Sequence, residues 1–86
     1  MRLDVALFEL RMFRSRSQAQ AAIEEGRALL NGARVKPSHE LRPGDRVTLR
    51  AGTAARTLEV LALPTRSLGK DAARALVREI AGAPPA

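Results

Sequence analysis

Asn31 followed by Gly32 is the feature that most narrows the folds open to this chain. Both residues tolerate the positive φ angles of a type I′ turn, whose twist matches that of two paired strands. A two-residue turn also sets register. It places Leu30 opposite Ala33, Leu29 opposite Arg34, Ala28 opposite Val35 and Arg27 opposite Lys36. Alternation then puts Ala28, Leu30, Ala33 and Val35 on an apolar face, and Arg27, Leu29, Arg34 and Lys36 on a basic one. Residues 27–36 are therefore expected to form a hairpin with one face turned to a core.

Helical patterns precede the hairpin. Leu3, Ala6, Leu7 and Leu10 follow the i, i+3, i+4, i+7 spacing of one helical face, which predicts a helix over residues 3–12. Asp4 lies in its first turn, where the helix dipole favours an acid, and Arg11 and Arg14 cluster near its far end. Ser15 with Gln18 three residues on is a capping-box pattern opening a second helix. That helix carries Ala19, Ala22 and Ile23 inward and runs to about Glu25, with Gly26 as its left-handed terminator.

Downstream, Pro37 with Ser38 and the run Pro43, Gly44, Asp45 read as turns. Residues 46–50 alternate, with Val47 and Leu49 inward and Arg46, Thr48 and Arg50 outward. Residues 51–56 read as a loop, and residues 57–62 as a last strand with Leu58 and Val60 on one face, stopped by Pro64. A third helix is expected over residues 70–81, with Ala72, Ala73, Leu76 and Ile80 as its stripe, Arg74 and Arg78 as polar neighbours, Gly82 at its end and a frayed tail of prolines. The fold class is α+β: two short N-terminal helices packed on a small antiparallel sheet, plus a C-terminal helix. Residues 1–62 are expected to form the main domain, with residues 63–86 packed on or extending from it.

Composition bounds the function. Arg2 directly after Met1 leaves no room for a signal peptide, and no apolar run is long enough for a membrane span, so a cytoplasmic protein is expected. With no cysteine and His39 as the only histidine, thiolate and multi-histidine metal sites are excluded. No pair of carboxylates, nucleophile with base, or Gly-rich phosphate loop is visible, so neither enzymatic activity nor a cofactor is expected. His39 in a turn-rich stretch reads as a surface residue.

Fifteen Lys and Arg against nine Asp and Glu give a net charge of +6, which points to a polyanion. Nearly all the cations are arginine, whose planar fork suits phosphates and base edges. Phe8 and Phe13 are the only aromatics, so recognition of a folded nucleic acid fits better than stacking along a single strand. The cations also converge. Arg11, Arg14 and Arg16 flank the turn between the helices; Arg27, Arg34 and Lys36 share the expected basic hairpin face. Free backbone amides at Ser15 suit a phosphate, and Gln18 and Gln20 on the same helix reach toward sugar or base edges.

The ordered set Arg2, Leu3, Asp4, Leu7, Arg14, Ser15, Arg16, Ala19, Ile23, Gly26, Asn31, Gly32, Pro37, Ser38, Gly44 and Asp45 resembles the S4-type RNA-binding domain. The resemblance runs from Arg2 to about Arg50. The whole chain resembles the small bacterial ribosome-associated heat-shock proteins, although Val5, Ala6 and Phe8 stand where those proteins usually carry a lysine and tryptophans. The resemblance implies the S4-like fold, with its alpha-L motif, and binding to ribosomal RNA of the large subunit, with tRNA as a further partner. It implies a role in stress recycling or ribosome quality control. Arg14, Arg16, Gln20, Arg34 and Lys36 match positions through which the family contacts RNA.

The expected RNA-binding set is therefore Arg2, Arg11, Arg14, Arg16, Gln18, Gln20, Arg27, Arg34 and Lys36, on a monomer. An alternative is a DNA-binding regulator in which the second helix enters the major groove. A protein-interaction module is a third reading, with Leu29 and the last helix as its candidate apolar surface.

Overall fold

A computed structural model describes residues 1–64 and 69–80. Helix α1 (Leu3–Glu9) and helix α2 (Arg16–Glu24) lead into strand β1 (Ala28–Leu30), strand β2 (Arg46–Ala51) and strand β3 (Ala54–Val60). A short helix α3 (Lys70–Arg74) and strand β4 (Val77–Glu79) complete the order. The sheet runs β1-β2-β3-β4, antiparallel throughout. The α+β class holds. Leu3, Ala6, Leu7 and Leu10 pack with Ala19, Ala22 and Ile23 of α2, and with Ala28, Leu30, Val47 and Val60 of the sheet.

Helix α1 is shorter than its apolar spacing suggests. Its C-cap is Leu10, and Arg11 takes φ 65. The Arg11 N–H donates to Phe8 O at 3.0 Å and the Met12 N–H to Leu7 O at 3.0 Å. These are the two bonds of a Schellman ending, usually built on glycine. At the other end no side chain caps the helix; the Leu3 and Asp4 N–H groups donate to the backbone carbonyls of His39 and Pro37. Helix α2 keeps its expected caps. Ser15 Oγ accepts from the Gln18 N–H at 3.1 Å. Gly26, at φ 77, closes the far end, with its own N–H on Ile23 O and the Arg27 N–H on Ala22 O.

The expected hairpin over residues 27–36 forms only at its tip. Asn31 (φ 51) and Gly32 (φ 80) make the turn, and Leu30 pairs with Ala33. Beyond that bridge the chain leaves, and β1 pairs with β2 instead, Leu30 opposite Val47 and Ala28 opposite Leu49. Asn31 explains the diversion. Its Oδ1 accepts from the Arg46 N–H at 2.9 Å and its Nδ2 donates to Asp45 Oδ1 at 3.2 Å, so it binds the start of β2 as well as shaping the turn. Ala33 is exposed, Leu29 is buried, and the basic face of Arg27, Arg34 and Lys36 does not exist as such.

Three further expectations change. Residues 51–56 are no loop: Gly52 (φ 60) and Thr53 form a two-residue turn with Ala51 opposite Ala54, the Gly-first pattern of type II′. Thr48 faces away from Val47 but is buried, its hydroxyl 3.1 Å from that of Thr57 across the pair. The expected helix over residues 70–81 ends after Arg74 and becomes an edge strand. Leu76 O accepts from the Leu61 N–H, and the Ile80 N–H donates to Thr57 O, so β3 draws this segment into the sheet. Arg78 therefore pairs with Glu59 across the strands, and Arg56 with Glu79, in place of an Arg74–Arg78 helical spacing. The expected cap at Gly82 and the tail lie outside the described residues.

Candidate nucleic-acid interface

The expected site residues fall into separate groups, each placed by a feature of the fold. At the α1–α2 turn, Arg11, Arg14 and Gln18 surround one depression together with Met12 and Phe13. Gln18 is partly committed to folding, since its Oε1 accepts from the Arg14 N–H at 3.3 Å. This departs from a strict capping box, in which that oxygen would take the N–H of Ser15. Arg16, the first residue of α2, is exposed beside them. Among the described residues, neither Arg14 nor Arg16 has a side-chain hydrogen bond or ion pair.

A second depression gathers Arg2, Gln20 and Lys36 with Glu24, Val35, Pro37 and Ser38. The carbonyls of Pro37 and His39 that cap α1 bring this about, because they bind the loop after Lys36 to the start of α1, next to Arg2. Arg2 is held in place by Asp4: Nε donates to Oδ1 at 3.1 Å and Nη2 to Oδ2 at 3.0 Å. Asp4 is buried, with only 2 % exposure, and its carboxylate is satisfied by that fork together with the Val5 N–H, which donates to Oδ1 at 2.8 Å. The exposed Arg2 guanidinium is thus oriented before any ligand arrives.

Arg27 and Arg34 are placed differently from the expectation. Arg27 pairs with Glu25 at 2.9 Å and lines a groove with Met12, Phe13, Leu49 and Arg50. Arg34 lies across Gly26, and its Nη2 donates to Glu24 O at 2.6 Å. It therefore serves the C-terminal end of α2, where a cation complements the helix dipole. Two arginines in the groove, Arg50 and Arg56, lie outside the set of site residues expected from the sequence. Arg50 was expected only to point outward; the alternating strand was legible, but the neighbourhood across the sheet was not.

Charge pairing separates the cations further. Glu79 holds Arg56 in a two-bond fork, at 3.2 and 2.8 Å. Hydrogen bonding and then charge attraction from Arg56 lower the Glu79 carboxyl below the usual carboxylate range, and the same pairing raises Arg56. Among the described residues, no acidic cluster suits a metal ion, and no helix is long and apolar enough to cross a membrane.

A family model of the S4 domain matches residues 1–47, more than half of the 86-residue chain. The chain belongs to the S4 domain family. That match ends within β2, so it covers α1, α2, β1 and the loop that caps α1. The RQC P-site tRNA stabilizing factor of Bacillus subtilis is 34% identical over 85% of this chain and 85% of its own length. The heat shock protein 15 homolog of Haemophilus influenzae is 33% identical over 91% of this S4 domain protein, which spans 60% of that relative. The solved trimeric structure of Vibrio cholerae heat shock protein 15 superposes with a TM-score of 0.87 at 34% identity, covering 94% of this chain and 82% of that one.

Proposed function

We propose that this S4 domain protein is a non-enzymatic, cytoplasmic factor that binds structured RNA on the ribosome. Its target is ribosomal RNA of the large subunit, with tRNA on the same particle as a second contact, and its task is stress recycling or quality control. The observation that carries the reading is the pair Arg14 and Arg16. They flank the Ser15 cap, are exposed, and have no side-chain partner among the described residues. Cations left free in this way neutralise phosphates and release counterions on binding. Lys36, exposed, also has no side-chain partner among the described residues, and the prepositioned Arg2 beside it extends the surface. The names of the relatives support the ribosomal setting: one is a P-site tRNA stabilizing factor, another a heat shock protein 15 homolog.

Sucrose-gradient sedimentation tests this proposal. At low and moderate salt the protein is expected to run with free large subunits, and a folded Arg16→Glu variant to stay near the top. Duplex DNA added in excess should not displace it. A wild-type protein that stays at the top under both salts overturns the ribosomal reading.

A further inference from the structure

A cleft of about 290 Å³ lies between the α1–α2 turn and the β2–β3 hairpin. Met12, Phe13, Leu49 and Ala54 supply apolar wall, and Arg27, Arg50 and Arg56 also line it. No acidic side chain among the described residues does so. The depression with Arg11 and Arg14 shares Met12 and Phe13 with it, so cationic surface continues from one to the other. We propose that this cleft holds a single unpaired nucleobase of the bound RNA, against Phe13 and Met12, with Arg50 on an adjoining phosphate. The proposal rests on the RNA-binding reading and specifies what part of the RNA this side of the protein selects.

Size and chemistry together favour a base. The volume lies at the lower end of the roughly 300–1,000 Å³ of ligand pockets, room for one planar ring system rather than a helix or a folded loop. An apolar wall with an aromatic edge accepts the face of any base, and arginine planes stack on bases as well as binding phosphate. Arg27 and Arg56 are already oriented by Glu25 and Glu79, whereas Arg50 has no side-chain partner among the described residues and is available to an anion. A peptide would need carboxylates to meet three arginines and an apolar residue to fill the space. A nucleotide joins both properties in one unit.

The test compares two blunt-ended RNA duplexes of the same sequence, one carrying a single bulged adenosine, by fluorescence anisotropy at one salt concentration. The wild-type protein is expected to prefer the bulged duplex by about tenfold, the scale of one stacked base. Ala54 shares the sheet face of Leu49 and is exposed, so Ala54→Gln fills the cleft without altering charge. That variant should lose the preference and keep the wild-type affinity for the fully paired duplex. Phe13→Ala should also lose the preference, but Phe13 packs on the core as well, so Ala54→Gln decides if Phe13→Ala fails to fold. Equal binding of both duplexes by the wild-type protein, or a preference that survives Ala54→Gln, overturns the base cleft and leaves RNA binding intact. Failure to bind either duplex at low salt overturns the RNA reading itself. A concentration-dependent dimer that Ala54→Gln abolishes assigns the cleft to a second copy of the chain and also overturns the proposal.

Discussion

The Arg34 guanidinium reaches across Gly26 to donate to the Glu24 carbonyl at 2.6 Å. Gly26 has two reasons to be glycine: its φ of 77, and the approach of Arg34 Nε, which would lie 3.2 Å from an added Cβ. Gly26→Ala is therefore expected to destabilise the fold by about 1–2 kcal/mol from the left-handed backbone alone. Displacement of Arg34 adds to that. Urea denaturation measures the loss; a variant as stable as wild type would show that the backbone relaxes at this position. For the same reason Arg34→Glu is a poor probe of RNA contact, because it loosens the end of α2 while changing charge.

Arg16 offers the cleaner electrostatic probe. It is exposed, lacks a side-chain partner among the described residues and comes directly after the Ser15 cap. Arg16→Ala should lower the slope of log affinity against log salt by about one, the loss of one phosphate contact. Arg42 is the control: it pairs with Glu40 at 3.1 Å, outside the proposed surface. Arg42→Ala should leave the slope unchanged. Equal slopes for wild type and Arg16→Ala would remove Arg16 from the interface.

What the sequence makes legible is local. The α2 caps depend on Ser15, Gln18 and Gly26 within one short stretch, and they form as their residue types dictate. The Asn31 and Gly32 turn likewise forms. The path of the chain after that turn is decided by competition between partners for β1. Ala33 to Lys36 would extend the hairpin, but Asn31 binds Asp45 and Arg46, and β2 takes the place beside β1. The same holds at the other end of the sheet. Residues 70–81 carry a helical stripe, yet β3 exposes an edge, and Val77 to Glu79 satisfy it with backbone bonds and the pairs Arg78–Glu59 and Arg56–Glu79. Helical periodicity says nothing about an unpaired edge distant in sequence.

The candidate site divides along the same line. The cations at the helix turn were legible because the chain itself places Arg11, Arg14 and Arg16 together. The grouping of Arg2 with Lys36 needed the loop carbonyls that cap α1, and the groove with Arg50 and Arg56 needed the sheet.

The Arg56–Glu79 fork gives β4 a dependence on pH. Glu79 has a folded pKa lowered by its hydrogen bonds from Arg56. Such a group stabilises the fold above its unfolded value, near 4.3 for glutamate, and the contribution fades as pH falls through the lowered folded value. Below about pH 4, then, β4 should separate from β3 more readily. Hydrogen exchange of the Ile80 amide, which donates to Thr57 O, reports the opening. Its protection should decline with acid in the wild type and more weakly in Glu79→Gln. An identical decline in both would assign the effect to other carboxylates. Because Glu79 is exposed, added salt should blunt the difference.

Arg11 occupies the left-handed position that ends α1, where glycine is the usual residue. A non-glycine residue there costs of order 1–3 kcal/mol, and such strain concentrates at functional sites. The neighbours agree with that inference, since Arg11 borders the depression shared with Arg14 and Gln18. Arg11→Gly and Arg11→Ala both delete the side chain, whereas only glycine relieves the backbone. Arg11→Gly is accordingly expected to be more stable than Arg11→Ala by about 1 kcal/mol in urea denaturation. Both should bind folded RNA several-fold more weakly than wild type, by the same factor, because both lose the same cation. The pair separates conformational cost from binding. If Arg11→Gly retained wild-type affinity, the charge at this turn would have no part in recognition, and the strained arginine would need another explanation.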